Sequence, residues 1–200
     1  MKPMPWRECW ALLSSDATRF RDAVTASGVT PSKRRWKLYF TPEVAALALY
    51  RLSHWAFSNG HTGWAAWAYR LNITLTGADI HPSTEIGPSC LIVHTVGTVL
   101  FGRFGEGVTV YARVIVDCDE LPATLERSPR IGNRVVLGAM ASVLGAITLA
   151  DEVKIGPGSL IDFSVSETQR LISRLPGERT FTAATHEVQA DATDLESEGT

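Results

Sequence analysis

His94 has the setting in this chain best suited to moving a proton. It lies in Leu91-Ile92-Val93-His94-Thr95-Val96-Gly97, two positions after an apolar member of a six-residue repeat, where a side chain falls near a corner of the chain's path. Asp79 precedes it by fifteen residues, close to one turn of a three-sided coil of about eighteen. A carboxylate that accepts one imidazole N–H fixes the tautomer and leaves the other nitrogen free to take a proton from a hydroxyl. The spacing alone fits equally a histidine that is hydrogen-bonded at a corner. The other histidines read more plainly: His54 and His61 belong to a helical region, His81 follows a repeat position and His186 lies in the tail. Cys118, flanked by Asp117, Asp119 and Glu120, is a nucleophile only in principle, because no base adjoins it.

The elements that must place these residues fall into two kinds. Up to about residue 76 the pattern is helical. Trp6, Trp10, Leu13 and Phe20 recur at helical spacing until Gly28 and Pro31. A second helix is expected after Thr41-Pro42, with Thr41 as cap, running through Val44, Leu47, Tyr50, Leu52 and Trp55 to Asn59-Gly60. A third spans about Gly63 to Asn72, and the aromatics along these helices read as core or subunit packing. After Gly77 an inward-suited residue falls every six positions: Ile80, Ile86, Ile92, Thr98, Phe104, Val110 and Val116, then Ile131, Leu137, Val143, Leu149, Ile155 and Ile161. Neither an amphipathic helix nor a hairpin meander has that period, whereas a triangular solenoid with one short strand per side does. The fifteen-residue step from Val116 to Ile131 requires a loop over 117–130. Residues 164–200 are expected to form a short helix, over Glu167–Leu175, and then a disordered acidic tail.

With 200 residues, 45% hydrophobic and 20% charged, the chain can bury one sizeable core. Its net charge is −2. Residues 183–200 hold five acidic residues and no Lys or Arg, so the remainder is only slightly basic and no nucleic-acid partner is expected. The run Lys33-Arg34-Arg35-Trp36-Lys37 reads as a solvated connector. Three cysteines, without metal or redox spacing, imply neither a disulfide framework nor a zinc site and suit a reducing compartment. The most apolar stretch, Val44 to Phe57, is interrupted by Arg51 and His54 and is too short for a bilayer, so a cytoplasmic protein without a membrane partner is expected.

Gly77-Ala78-Asp79-Ile80-His81-Pro82, then Ile86-Gly87, then His94-Thr95-Val96-Gly97, resembles the start of the catalytic domain of serine O-acetyltransferases, hexapeptide-repeat enzymes that acetylate serine from acetyl-CoA. Tyr50-Arg51-Leu52-Ser53-His54-Trp55 is similar to that family's preceding helix, and the likeness covers about residues 42–163. It implies an α+β chain, an N-terminal helical region (1–76) followed by a left-handed parallel β-helix (77–163). It also implies a homotrimer or dimer of trimers, with acetyl-CoA or another acyl-CoA as co-substrate in clefts between subunits and no metal. On that resemblance His94 is the catalytic base and Asp79 its orienting carboxylate. Arg127 matches a residue that contacts the substrate carboxylate. Gly138, Ala139, Lys154, Gly156 and Pro157 match positions lining the CoA cleft, although Gly138 and Ala139 suit ordinary corner packing as well.

The departures from the family pattern are specific. Val93 stands where the family places an Asp, and Ser128, in Arg127-Ser128-Pro129, stands where it places a second active-site His. Val116-Asp117-Cys118-Asp119-Glu120-Leu121-Pro122 replaces a glycine-rich loop, and no acidic serine-contacting motif is evident in the helical region. Asp117 and Ser128, with Arg127, are therefore the expected substrate-binding groups. An acceptor with an acidic group and an altered or absent amine is expected to be preferred to serine.

The leading expectation is an acyl-CoA-dependent O-acyltransferase acting on serine or a related small hydroxyl metabolite. The alternative is a non-catalytic trimer serving as a regulatory or partner subunit. A γ-class carbonic anhydrase on the same solenoid needs three metal-binding histidines and finds only His94 near the expected coils. Docking to cysteine synthase is not expected, because the chain ends Glu198-Gly199-Thr200 rather than in the Ile that the family uses. Trimerisation is expected to cover apolar sides around Val99, Val114 and Val136.

Overall fold

In three dimensions the six-residue count becomes a triangular prism. The computed structural model describes residues 3–29, 35–119, 121, 123–166 and 170–171. Its first face is a parallel sheet of β1 (Asp79–Ile80), β4 (Val99–Leu100), β7 (Ile115–Asp117), β10 (Ser142–Leu144) and β13 (Leu160–Ile161). The second face holds β2 (Glu85–Ile86), β5 (Arg103–Phe104), β8 (Arg130–Ile131) and β11 (Thr148–Leu149). The third holds β3 (Leu91–Ile92), β6 (Thr109–Val110), β9 (Val136–Leu137), β12 (Lys154–Ile155) and β14 (Arg170–Leu171). Successive strands lie on successive faces, which is the parallel β-helix expected from the repeat. Ile80, Leu100, Val116, Val143 and Ile161 stack inward and buried on the first face, as do Ile86, Phe104, Ile131 and Leu149 on the second and Ile92, Val110, Leu137 and Ile155 on the third. Each such side chain contributes about 1.5–3 kcal/mol by leaving water.

The register corrects two expectations. The inward residue after Ile92 is Leu100, not Thr98; Thr98 is buried at the corner two residues earlier. The corner after Ile92 is thus two residues longer than the repeat, and the next one, from Leu100 to Phe104, is two residues shorter. The coil also continues past residue 163. Val165 bridges Leu149, and Arg170–Leu171 is a strand on β12 where a helix was expected. The reason is another short corner, from Ile161 to Val165, which breaks the six-residue phase without ending the winding. Residues 167–169 and 172–200, which include the rest of the expected helix and the acidic tail, lie outside the described residues.

The helical region comprises α1 (Trp6–Ala26), a 3-10 helix (Arg35–Phe40), α2 (Pro42–Ser58) and α3 (Thr62–Thr76). Pro42 supplies a preset first turn to α2. Thr41 is extended, but its side chain makes no capping hydrogen bond to the helix; its hydroxyl donates to Leu38 O at 2.8 Å. Gly77, at φ 73°, ends α3 in the left-handed conformation, and its N–H donates to Ile73 O. Ala46, Leu47 and Tyr50 of α2 join the same core as Ile80, Ile86 and Ile92, so this helix closes the N-terminal end of the prism.

Arg51, 1% exposed, fastens that closure. It pairs with Asp16 of α1 at 3.0 Å and donates to the carbonyls of Ile86 and Gly87, while Asp16 accepts the Cys90 N–H at 2.9 Å. The Tyr50 hydroxyl donates to Thr84 O, and His54 Nδ1 donates to Pro82 O at 2.8 Å. Trp6, Trp10, Trp64 and Trp67 are more than half exposed, so they are not core in a single chain. Val114 is wholly buried; on the first face the exposed apolar side chains are Ile115 and Leu160. No helix among the described residues is long and apolar enough to cross a membrane.

Candidate active site

The two-residue insertion after Ile92 forms the bulge that carries His94, at the edge between the third and first faces. Its backbone is tied down on both sides. The Thr95 hydroxyl donates to Thr76 O at 2.6 Å, Gly97 N–H donates to Gly77 O at 3.0 Å, and the Thr98 hydroxyl donates to His94 O at 3.2 Å. A methyl group on Gly77 would lie 3.2 Å from Val96 Cα, so the bulge rests directly on the turn that ends α3. The His94 side chain is exposed. The backbone is thus fixed while the imidazole is open to solvent.

Along the same edge the third-face ladder runs one residue past its strands. Val93 N–H donates to Val110 O, Tyr111 N–H to Leu137 O and Gly138 N–H to Ile155 O. Val93, Tyr111, Gly138 and Gly156 therefore stack in one row, and His94, Ala112, Ala139 and Pro157 follow in the next. Four of the five expected cleft residues share the His94 edge, and Lys154 lies exposed two positions before Gly156. A methyl group on Gly138 would come within 2.7 Å of the Ile155 carbonyl oxygen and of Gly156 and Pro157 backbone atoms. Close packing of coils thus by itself requires glycine there, and it leaves a thin wall at the edge.

Asp79 opens β1 beside the bulge, its N–H donating to Thr98 O. Its carboxylate accepts the Tyr69 hydroxyl at 2.7 Å. Among the described residues no hydrogen bond joins Asp79 to His94. Burial and the hydrogen bond to Asp79 push the Tyr69 phenol up to about 12, so it remains a donor. Tyr69 was not marked by the sequence, because only the fold shows that α3 turns this side of itself to Asp79.

The remaining expected residues lie elsewhere on the chain. Asp117 ends β7, and Arg127 and Ser128 lie in the connection that follows it to the second face, across the first face from His94. Arg127 is exposed. Ser128 is 1% exposed and its hydroxyl donates to Leu125 O at 2.8 Å, so it closes a turn of the loop rather than presenting itself to a ligand. Asp117 accepts the N–H of Cys118, and its charge, with that of Asp79, acts on His81. Burial pushes the Cys118 thiol up, as do Asp117 and Asp119, which disfavours the thiolate that a nucleophile needs. One chain thus carries His94 and the Arg127 loop on different edges of the prism. No group of three metal-ligating side chains occurs among the described residues.

No protein-family model matches the chain. It is 35% identical over 133 residues to a serine acetyltransferase of Helicobacter pylori, a match covering 65% of this chain and 77% of that protein. It is 33% identical over 126 residues to that of Mycobacterium tuberculosis, covering 62% of this chain and 55% of the relative, so the chain spans about half the length of this and several other curated relatives. Among solved structures, serine acetyltransferase isoform 3 of Entamoeba histolytica, in complex with cysteine, superposes with a TM-score of 0.75 at 29% identity, over 88% of this chain and 62% of that one. Sequence relatives and fold agree, and the chain belongs to the serine acetyltransferase family.

Proposed function

We propose that this chain is an acyl-CoA-dependent O-acyltransferase, moving an acetyl group from acetyl-CoA to the hydroxyl of serine or a related small metabolite. The observation that carries this reading is the single edge on which the exposed His94 adjoins the row Gly138, Ala139, Gly156 and Pro157. His94 takes the acceptor's hydroxyl proton as the oxygen attacks the thioester carbonyl. The C–S bond then breaks, and the proton passes to the departing thiolate, giving an ester and free CoA. Asp79 is the carboxylate assigned to orient the imidazole, by a hydrogen bond formed in the loaded site, since in the free chain its carboxylate accepts the Tyr69 hydroxyl instead. The thin glycine wall supports a cleft for the pantetheine arm, with Lys154 toward its charged end.

Arg127 and Asp117 serve the acceptor from a neighbouring copy, because within one chain they lie across the first face from His94. The assembly is accordingly a trimer or a dimer of trimers, with exposed Ile115 and Leu160 available to a subunit contact. The three free cysteines suit a reducing cytoplasm.

The test is thiol release from acetyl-CoA and other acyl-CoAs against a panel of hydroxyl acceptors that includes L-serine. Turnover with at least one pair is expected. A correctly assembled protein that binds CoA but turns over none would favour the regulatory-subunit alternative.

A further inference from the structure

The prism repeats one arrangement at two of its edges, and the two copies differ in a way that bears on ligand binding. Between the second and third faces, Gly107, Arg134 and Glu152 stack in successive coils, all left-handed at φ 68°, 54° and 64°. Arg134 lays its stem across Gly107, where a methyl group would be 3.4 Å from its Cγ. Its guanidinium is satisfied by Glu152 in the coil below, at 2.7 and 3.0 Å. Between the third and first faces, Gly97, Arg113 and Met140 stack with φ 73°, 56° and 62°. Arg113 lies across Gly97 in the same manner, at 3.3 Å. Here the coil below offers Met140 instead of a carboxylate, and among the described residues Arg113 has no hydrogen bond or ion pair.

Arg113 is therefore an exposed cation, in a backbone conformation costly for an L side chain, packed on the glycine three residues after His94. At the equivalent place on the other edge the charge is neutralised within the chain. We propose that Arg113 determines specificity by holding an anionic group of a substrate at the His94 edge. That group is either the carboxylate of the acceptor or a phosphate of the acyl-CoA. A guanidinium suits both, since its paired N–H groups match two oxygens of either anion. The inference rests on the acyl-transfer reading of the same edge and adds to it a residue that the sequence did not single out.

The experiment compares wild type with Arg113→Gln, Arg113→Lys, Arg113→Gly and, as a control, Arg134→Gln. KM is measured for L-serine against L-serinamide and for acetyl-CoA against acetyl-pantetheine, which lacks the phosphates. Arg113→Gln should raise KM for one anionic substrate by about tenfold or more, as loss of a charge-assisted hydrogen bond does, with kcat changed much less. The neutral counterpart of that substrate should stay within twofold, which identifies the source of the anion, and Arg113→Lys should restore part of the affinity. Arg113→Gly should show the same loss of affinity while melting higher than wild type, because glycine relieves the left-handed backbone; a purely structural arginine would give the reverse. Arg134→Gln should leave both KM values unchanged.

If the wild type turns over no substrate, the acyl-transfer reading fails. Calorimetric binding of CoA and of L-serine then decides on Arg113 alone. Binding of both within twofold of wild type in Arg113→Gln, or no binding of either to wild type, overturns the proposal. So does a changed sedimentation coefficient with unaltered KM, which would make Arg113 a subunit contact.

Discussion

Replacing Asp16 by Ala tests how the helices are fixed to the prism. The carboxylate is wholly buried and faces the Arg51 guanidinium, itself 1% exposed. Without it Arg51 keeps the carbonyls of Ile86 and Gly87, but its charge has no counterion, and the Cys90 N–H loses its acceptor. Stripping one partner from a buried ion pair costs about 3–5 kcal/mol and stranding the Cys90 N–H about 1–3 kcal/mol more, so about 4 kcal/mol is the lower end of the total. A loss of about 4 kcal/mol in a chain of this size lowers Tm by about 8–16 °C. Asp16→Asn retains an oxygen for Cys90 and should lose less. Burial pushes the Asp16 carboxyl up, against the pull of Arg51 and the Cys90 N–H, so desolvation offsets much of the attraction. The double variant Asp16→Leu with Arg51→Met should therefore lose less than the sum of its single changes. Urea unfolding followed by tryptophan fluorescence and far-UV circular dichroism measures all of these. A stability of Asp16→Ala within 1 kcal/mol of wild type would refute the reasoning.

Burial lowers the pKa of His54, and Arg51 acts in the same direction, against Pro82 O, Glu85 and Glu8. The folded state then binds fewer protons than the unfolded one as pH falls through the unfolded value of about 6.5, so stability should decline below that pH. His54→Asn, which retains a donor for Pro82 O, should flatten the decline in thermal melts taken from pH 7.5 to 5. Gly77→Ala places a methyl group 3.2 Å from Val96 Cα at φ 73°, so it should cost about 1–2 kcal/mol and displace the His94 bulge, lowering kcat more than it alters CoA affinity. Refolding mixtures of His94→Ala and Arg127→Ala chains should recover activity that neither shows alone, because some interfaces then pair an intact His94 with an intact Arg127; additive residual activity would place both in one chain's site.

The coils were legible because inward positions obey a strict count, and twelve of the thirteen named positions are inward in the structure. Thr98 failed because Thr98, Val99 and Leu100 are all compatible with burial, so the two-residue insertion was invisible until pairing with Ile80 fixed the register. The expected end of the coil at residue 163 failed for the same reason, a corner that shifts phase without ending the winding. The Asp16 to Arg51 pair joins residues 35 apart in two helices, and no periodicity reports such a contact. At the site, the motifs singled out His94 and Asp79, but the partition of His94 and Arg127 between two edges depends on which face each strand joins. A hydroxyl in sequence carries no sign of its backbone partner, and only the fold shows Ser128 buried and donating to the Leu125 carbonyl.

The central claim, base catalysis of acyl transfer at the His94 edge, is tested most directly by His94→Ala, with acyl-transfer rate and CoA affinity measured on the same assembled protein. The expected result is a rate lowered by about 10²–10⁴-fold with the CoA dissociation constant nearly unchanged. Undiminished turnover in that variant would contradict it.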